Sequence, residues 1–195
     1  MKTLFFALGL SGSLGVSLAQ DPPAARPRTG LPLTVTVFAE SITLPTLRKL
    51  QKGGIGIKVG TEFYYRNRPG AQTFQTLNLG LYRHPGVQSG LFVASEFGFR
   101  KFVGPVFADA TIGGGALLLR SVSPAYVRQE DTSEFRKASP YQFKFMPSVG
   151  VGMGVRFAGG STVFARYELF GEMPFSQIVL PHQALHIGTR LLIDK

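Results

Sequence analysis

The chain contains no cysteine and no tryptophan. Without thiols it has no disulfides, no thiolate metal ligands and no site for lipid attachment through sulfur. Charge is also scarce. Asp, Glu, Lys and Arg together make up 16% of the residues, against ~25% in an average soluble domain. Acidic residues are the rarer sign, 11 against 21 basic, which leaves a formal net charge of +10. A surplus of that size raises the question of an anionic partner. No nucleic-acid partner is expected, because the chain carries no recognisable binding motif or basic helix. Long apolar runs are missing as well. Beyond residue 19 nothing approaches the ~18 uninterrupted apolar residues of a membrane-spanning helix.

An export signal is present. Lys2 supplies a positive start, Leu4 to Leu10 and the following SGSLGVSL supply an apolar stretch, and Ser17 and Ala19 are the small residues that precede a cleavage site. Residues 1–19 are therefore expected to be a signal peptide cleaved after Ala19. Residues 20–32 (QDPPAARPRTGLP) hold four prolines and are expected to form an extended linker. Residues 33–195 are left as a single domain of a size that one core can serve.

That domain alternates with a period of two. In 54–66, Ile55, Ile57, Val59, Phe63 and Tyr65 share one parity, and Gly54, Gly56, Lys58, Gly60, Glu62 and Arg66 share the other. In 142–157, Phe143, Phe145, Val149, Val151, Met153, Val155 and Phe157 oppose Lys144, Ser148, Gly150, Gly152, Gly154 and Arg156. Successive side chains of a strand point to opposite faces, so each segment is a strand with one apolar and one polar side. Residues 73–83, 91–102, 105–120, 162–170 and 184–193 follow the same rule, some of them loosely.

Such strands suit a soluble barrel with its apolar face inward, or a membrane barrel with that face toward lipid. Three features favour the membrane. Several strands run past ten residues, close to the ~9–11 that a tilted membrane strand requires. Glycines recur on the polar face, where they only weaken a solvent-facing strand but make room inside a narrow barrel for long charged side chains. Aromatics (Phe63, Tyr65, Phe97, Phe99, Phe143, Phe157 and Tyr167) mark the apolar face near strand ends, as in the girdles at membrane interfaces.

Loop lengths suggest the topology. Short links fall near 67–72, 103–104 and 158–161, and longer ones at 84–90, 121–141 and 171–183. If the short ones are periplasmic, an upward strand must precede 54–66, and the β-prone residues 33–41 supply it. The expected fold is all-β: an antiparallel up-and-down transmembrane β-barrel of eight strands. The alternative is a seven-strand core with the N-terminal segment folded inside or along it. An eight-stranded barrel is filled by side chains. By parity its lumen receives Lys58, Glu62, Glu96, Arg100, Asp109, Lys144, Arg156, Arg166, Glu168 and Arg190. Buried charges must be paired, and this mixed set permits an ion-pair network that plugs the barrel.

The runs GIGIKVGTEFYYRNRP (54–69), QTLNLGLYRHPG (75–86), SGLFVASEFGFR (89–100) and FGEMPFSQIVLPHQALHIGTR (170–190), with TLP at 43–45, resemble a family of uncharacterised small outer-membrane β-barrel proteins of Gram-negative bacteria. The resemblance covers most of 43–193. It implies the barrel fold and an outer-membrane location, and it carries no activity. At the C-terminus the chain departs from the terminal aromatic common in outer-membrane barrels, ending Leu191-Leu192-Ile193-Asp194-Lys195.

Chemistry-bearing motifs are thin. Some small barrels modify lipid A with a histidine and a serine or acidic partner at the outer rim, and a base needs its nucleophile within hydrogen-bond reach. His182 and His186 share a parity, with Ser176 and Glu172 nearby in an expected outer loop. The His-x-Ser-Asn run of lipid A deacylases is missing, so no catalytic site is identified. Two histidines on one strand without a convergent acidic cluster do not make a metal site, and the glycine runs at 113–115 and 159–160 lack phosphate-loop spacing. No cofactor is expected. Loop 121–141, mixed in charge and long, is the expected surface for an unidentified ligand. The functional expectation is a non-enzymatic outer-membrane barrel with a structural or interaction role, in contact with outer-membrane lipid and lipopolysaccharide. A lipid A-modifying enzyme and a soluble periplasmic carrier of an apolar ligand are the alternatives.

Overall fold

The computed structural model describes residues 31–42, 53–123, 126–128, 135–175 and 178–192. The expected signal peptide and all but the last two residues of the expected linker lie outside them.

The described residues form ten strands in the order β1 (Pro32–Ile42), β2 (Gly54–Arg68), β3 (Ala71–His84), β4 (Gln88–Val103), β5 (Val106–Ser121), β6 (Tyr126–Arg128), β7 (Phe135–Lys137), β8 (Tyr141–Arg156), β9 (Thr162–Phe175) and β10 (Ile178–Leu192). Eight of them close a barrel in the order β1-β10-β9-β8-β5-β4-β3-β2, and β6 and β7 form a separate two-stranded sheet. Every barrel pairing is antiparallel. Among the described residues there is no helix. β1 pairs with both β2 and β10, so the segment expected at 33–41 is the staple that closes the barrel and not an inner plug. The first residue of β1, the last of β10 and the links β2–β3, β4–β5 and β8–β9 share one end, the turn end. The opposite, loop end carries the β3–β4, β5–β8 and β9–β10 links.

Two expected loops prove to be mostly strand. The 84–90 link shrinks to 85–87, and every described residue of 171–183 lies in β9 or β10. Pro174 and Pro181 look like breakers in the sequence. Pro174 falls opposite a register shift between Ile178 and Leu180, the kind of irregularity where strand prolines are found, while Pro181 stays in register with Gly171. Within the expected loop 121–141, the β6–β7 hairpin is a further element that alternation missed, because three residues are too few to show a period.

Polarity is inverted relative to a soluble barrel. Outward positions are apolar and exposed, including Ile55 at 71%, Ile57 at 41% and Val59 at 40%. The expected girdle residues Phe63, Tyr65, Phe97, Phe99, Phe143 and Phe157 also face outward and are exposed. One outward–inward assignment fails: a bulge between Tyr64 and Arg66 reverses parity, so Arg66 turns out of the lumen.

The glycines of the inner face work differently from expectation. They seat aromatic rings from the neighbouring strand more than they admit charged chains. Gly56 faces Phe38, Gly80 faces Phe92, Gly90 faces Tyr82 and Gly98 faces Phe74 in direct register. A Cβ at any of these glycines would overlap the facing ring. Ring-on-glycine pairs pack the wall and pin the register. They also account for the inward-facing aromatics that alternation did not assign to the lumen.

Candidate functional site

The lumen is filled in tiers. Three strands show this in the same way. Going from the loop end inward, β1 carries Glu40, Phe38 and Thr36, β9 carries Glu172, Phe170 and Glu168, and β10 carries His182, Ala184 and His186. An apolar tier therefore separates two polar ones. Phe38, Phe170 and Ala184 join Phe92, Leu117 and Met146 of the other strands in one buried cluster. A second aromatic group, Phe102, Phe107 and Phe164, packs toward the turn end.

Below the apolar tier lies an alternating chain of six charges. Arg190 meets Glu62 at 2.6 Å, Glu62 meets Arg100 at 2.9 Å and Arg100 meets Asp109 at 3.1 Å. Asp109 then meets Arg166 at 3.3 Å, and Arg166 meets Glu96 at 3.6 Å. Arg100 is its centre. It is fully buried. It donates to both Glu62 oxygens, to Asp109 Oδ2 and to Gln72 Oε1, and it lies 4.2 Å from the centroid of the Phe74 ring. The Arg190–Glu62 contact is short but poorly directed, since the Arg190 Nη2 donor is not aligned on the oxygen. Glu96 is further held by Thr76, Asn78 and Thr111, which donate to it at 3.2–3.4 Å. With three charges of each sign the chain is neutral, as a buried ionic set must nearly be. Beside it, Lys58 Nζ donates to Glu168 at 2.7 Å, and His186 Nε2 approaches the same oxygen at 3.1 Å.

Above the apolar tier sits a cluster that the sequence reading did not assemble. Glu40 accepts from two histidines, with His182 Nδ1 at 2.6 Å and His84 Nδ1 at 2.9 Å. The other His182 nitrogen lies 2.8 Å from Glu172 Oε1, off the ideal hydrogen-bond direction. Glu172 also accepts from Gln88 Nε2, and from Tyr82 Oη at 3.4 Å. Phe170 stacks on the His182 ring at 4.6 Å. Both His182 ring nitrogens face a carboxylate, Nδ1 that of Glu40 and Nε2 that of Glu172. Glu172 was expected in a loop, yet it is a buried lumen residue of β9.

The other expected site residues fall as follows. Lys58, Glu62, Glu96, Arg100, Asp109, Arg166, Glu168 and Arg190 are all buried in the lumen. Lys144 donates to the Pro174 carbonyl oxygen near the loop end, and Arg156 stacks on Phe102 at 4.2 Å near the turn end. Both are half-buried. His182 and His186 both face the lumen, on either side of the apolar tier. Ser176 lies outside the described residues. Among the described residues no group of His, Asp and Glu has the geometry of a metal site.

No protein-family model and no curated protein matches the sequence. Solved structures do match the fold. The outer membrane enzyme PagL superposes with TM-score 0.52 at 13% identity, over 83% of this chain and 99% of that one. Neisserial surface protein A superposes with TM-score 0.53 at 12% identity, over 84% and 96%. The closed antiparallel barrel of this chain is therefore the fold of the small eight-stranded outer-membrane barrels.

Proposed function

We propose that this chain is an integral, closed β-barrel of a Gram-negative outer membrane, exported through a cleaved signal peptide, with a structural or interaction role. The observation that carries this reading is the inverted polarity. An alternating chain of six charges is buried inside, while a continuous outer belt that includes Ile57, Leu79, Val93 and Val151 is exposed. Monomeric soluble proteins rarely leave such belts open to water, whereas lipid covers one without penalty. A soluble carrier requires Ile55, Ile57 and Val59 to face inward, and they face outward. Catalysis has less support. His182 Nδ1 bonds to Glu40 and its Nε2 faces Glu172, so both ring nitrogens point at carboxylates, whereas a general base must reach a nucleophile's proton.

In this reading the barrel is non-conducting, supported by the apolar tier and the ion-pair chain that lie across its lumen. Outer-leaflet lipid and lipopolysaccharide are its surroundings, and the 121–141 connection with its β6–β7 hairpin is the surface for a protein or ligand partner. Membrane fractionation followed by gels of heated and unheated samples tests the reading. Recovery with the outer membrane and heat-modifiable migration is expected. Recovery in the soluble periplasm with no mobility shift overturns it.

A further inference from the structure

At the loop end, the last outward-facing residues of five adjacent strands stand in register: Ile55, Arg83, Ser89, Arg120 and Tyr141. Arg83 and Arg120 flank Ser89 across a single strand, so their Cα atoms are two strand spacings, ~10 Å, apart. Guanidinium groups on side chains of that length can converge on one anion. Both arginines are exposed, and neither has an acidic partner among the described residues. Arg120 leans toward the Tyr141 ring, 5.9 Å from its centroid.

The next outward row toward the barrel centre is wholly apolar: Ile57, Leu81, Leu91, Leu118 and Phe143, again in register. Leu81, Leu91 and Leu118 are 53%, 47% and 41% exposed. Two cations with a hydroxyl between them thus sit directly over a greasy wall. That is the order of groups in a phosphorylated lipid, whose headgroup phosphate lies above its acyl chains. Arginine suits phosphate because its planar fork binds two oxygens at once. At the turn end Arg68 and Lys101 flank Ala71 in a similar way. Ala71 puts no hydroxyl between those two cations, and the row inward opens with Arg66 and Thr73 ahead of Phe99, so a third cation and a polar side chain stand where the loop end has leucines.

We propose that Arg83, Ser89 and Arg120 bind the phosphate of an outer-leaflet lipid whose acyl chains lie along Leu81, Leu91 and Leu118. This rests on the outer-membrane reading above.

The test uses the full chain folded in dodecyl maltoside, a phosphate-free detergent. Heat-modifiable migration is checked first, and its absence overturns the membrane reading and this site with it. Lipid A, dephosphorylated lipid A and inorganic phosphate are then titrated against wild type, Arg83→Gln/Arg120→Gln and Arg68→Gln/Lys101→Gln, with native mass spectrometry as the readout. The loop-end double variant is expected to bind lipid A roughly thirtyfold more weakly, the combined effect of two arginines at an anionic surface. The turn-end variant is expected to bind like wild type, and dephosphorylated lipid A to bind no better than the loop-end variant binds lipid A. Three results overturn the proposal: unchanged binding by the loop-end variant, an equal loss in the turn-end variant, or equal binding of the dephosphorylated lipid. Displacement of lipid A by an equal concentration of inorganic phosphate overturns the lipid as the source of the anion.

Discussion

Replacing Arg100 by methionine probes the lumen chain at its centre. Arg100 joins the Arg190–Glu62 pair to the Asp109–Arg166–Glu96 group. Its removal leaves two cations facing three carboxylates in a buried site. Breaking a buried ion pair costs about 3–5 kcal/mol. The lower end of that range applies, because Glu62 keeps Arg190 at 2.6 Å and Asp109 keeps Arg166 at 3.3 Å. Arg190→Met removes only a chain end and leaves Glu62 with two aligned Arg100 donors, so a loss of about 1–2 kcal/mol is expected. The double change Arg100→Met/Asp109→Asn leaves two complete pairs, Arg190–Glu62 and Arg166–Glu96. It should be more stable than Arg100→Met alone, a coupling that a mutant cycle isolates. The assay is urea unfolding of the barrel in lipid vesicles, read as a shift in midpoint at unchanged slope. The reasoning is refuted if Arg190→Met costs as much as Arg100→Met, or if the double change is worse than the single one.

Other consequences can be checked in the same assay. Gly80→Val drives a side chain into the Phe92 ring and should cost about 1–3 kcal/mol as overpacking, with part recovered in Gly80→Val/Phe92→Ala. Leu79→Arg, on the exposed belt, should cost about 2–4 kcal/mol if it meets the bilayer midplane, whereas a water-facing site would change stability by less than about 0.5 kcal/mol. His182→Ala removes the ring between Glu40 and Glu172 and should cost about 1–3 kcal/mol, the penalty of buried acceptors left short of a partner, while the lipid A profile of cells carrying it stays that of wild type. Planar-bilayer recordings of the wild type should show no discrete conductance steps, since rings and ion pairs fill the lumen.

Alternation reached the lumen charges because most barrel strands keep strict parity along their length. Lys58 and Glu62 on β2, Glu96 and Arg100 on β4, and Arg166 and Glu168 on β9 are each spaced by an even number of residues, with no bulge between them. Arg66 lies beyond such a bulge, and there the parity rule misleads. The Glu40–His182–Glu172 cluster was harder to see. Glu40 sits on the short first strand, and Glu172 and His182 are flanked by Pro174 and Pro181, which carry loop signals in sequence. Their pairing is a property of barrel closure, which brings β1 against β10 across most of the chain. The aromatic filling escaped for another reason. A glycine facing a ring is visible only once register is known, as for Gly90 and Tyr82.

The central claim is that the apolar face meets lipid, and it can be tested position by position because the chain has no cysteine of its own. Single cysteines at Leu79, Val93 and Val151, which are 55%, 48% and 57% exposed, would each carry one bimane label in the barrel reconstituted into vesicles. Strong quenching by brominated acyl chains, with little quenching by aqueous iodide, is predicted at all three. Iodide quenching without an effect of brominated lipid would contradict the account.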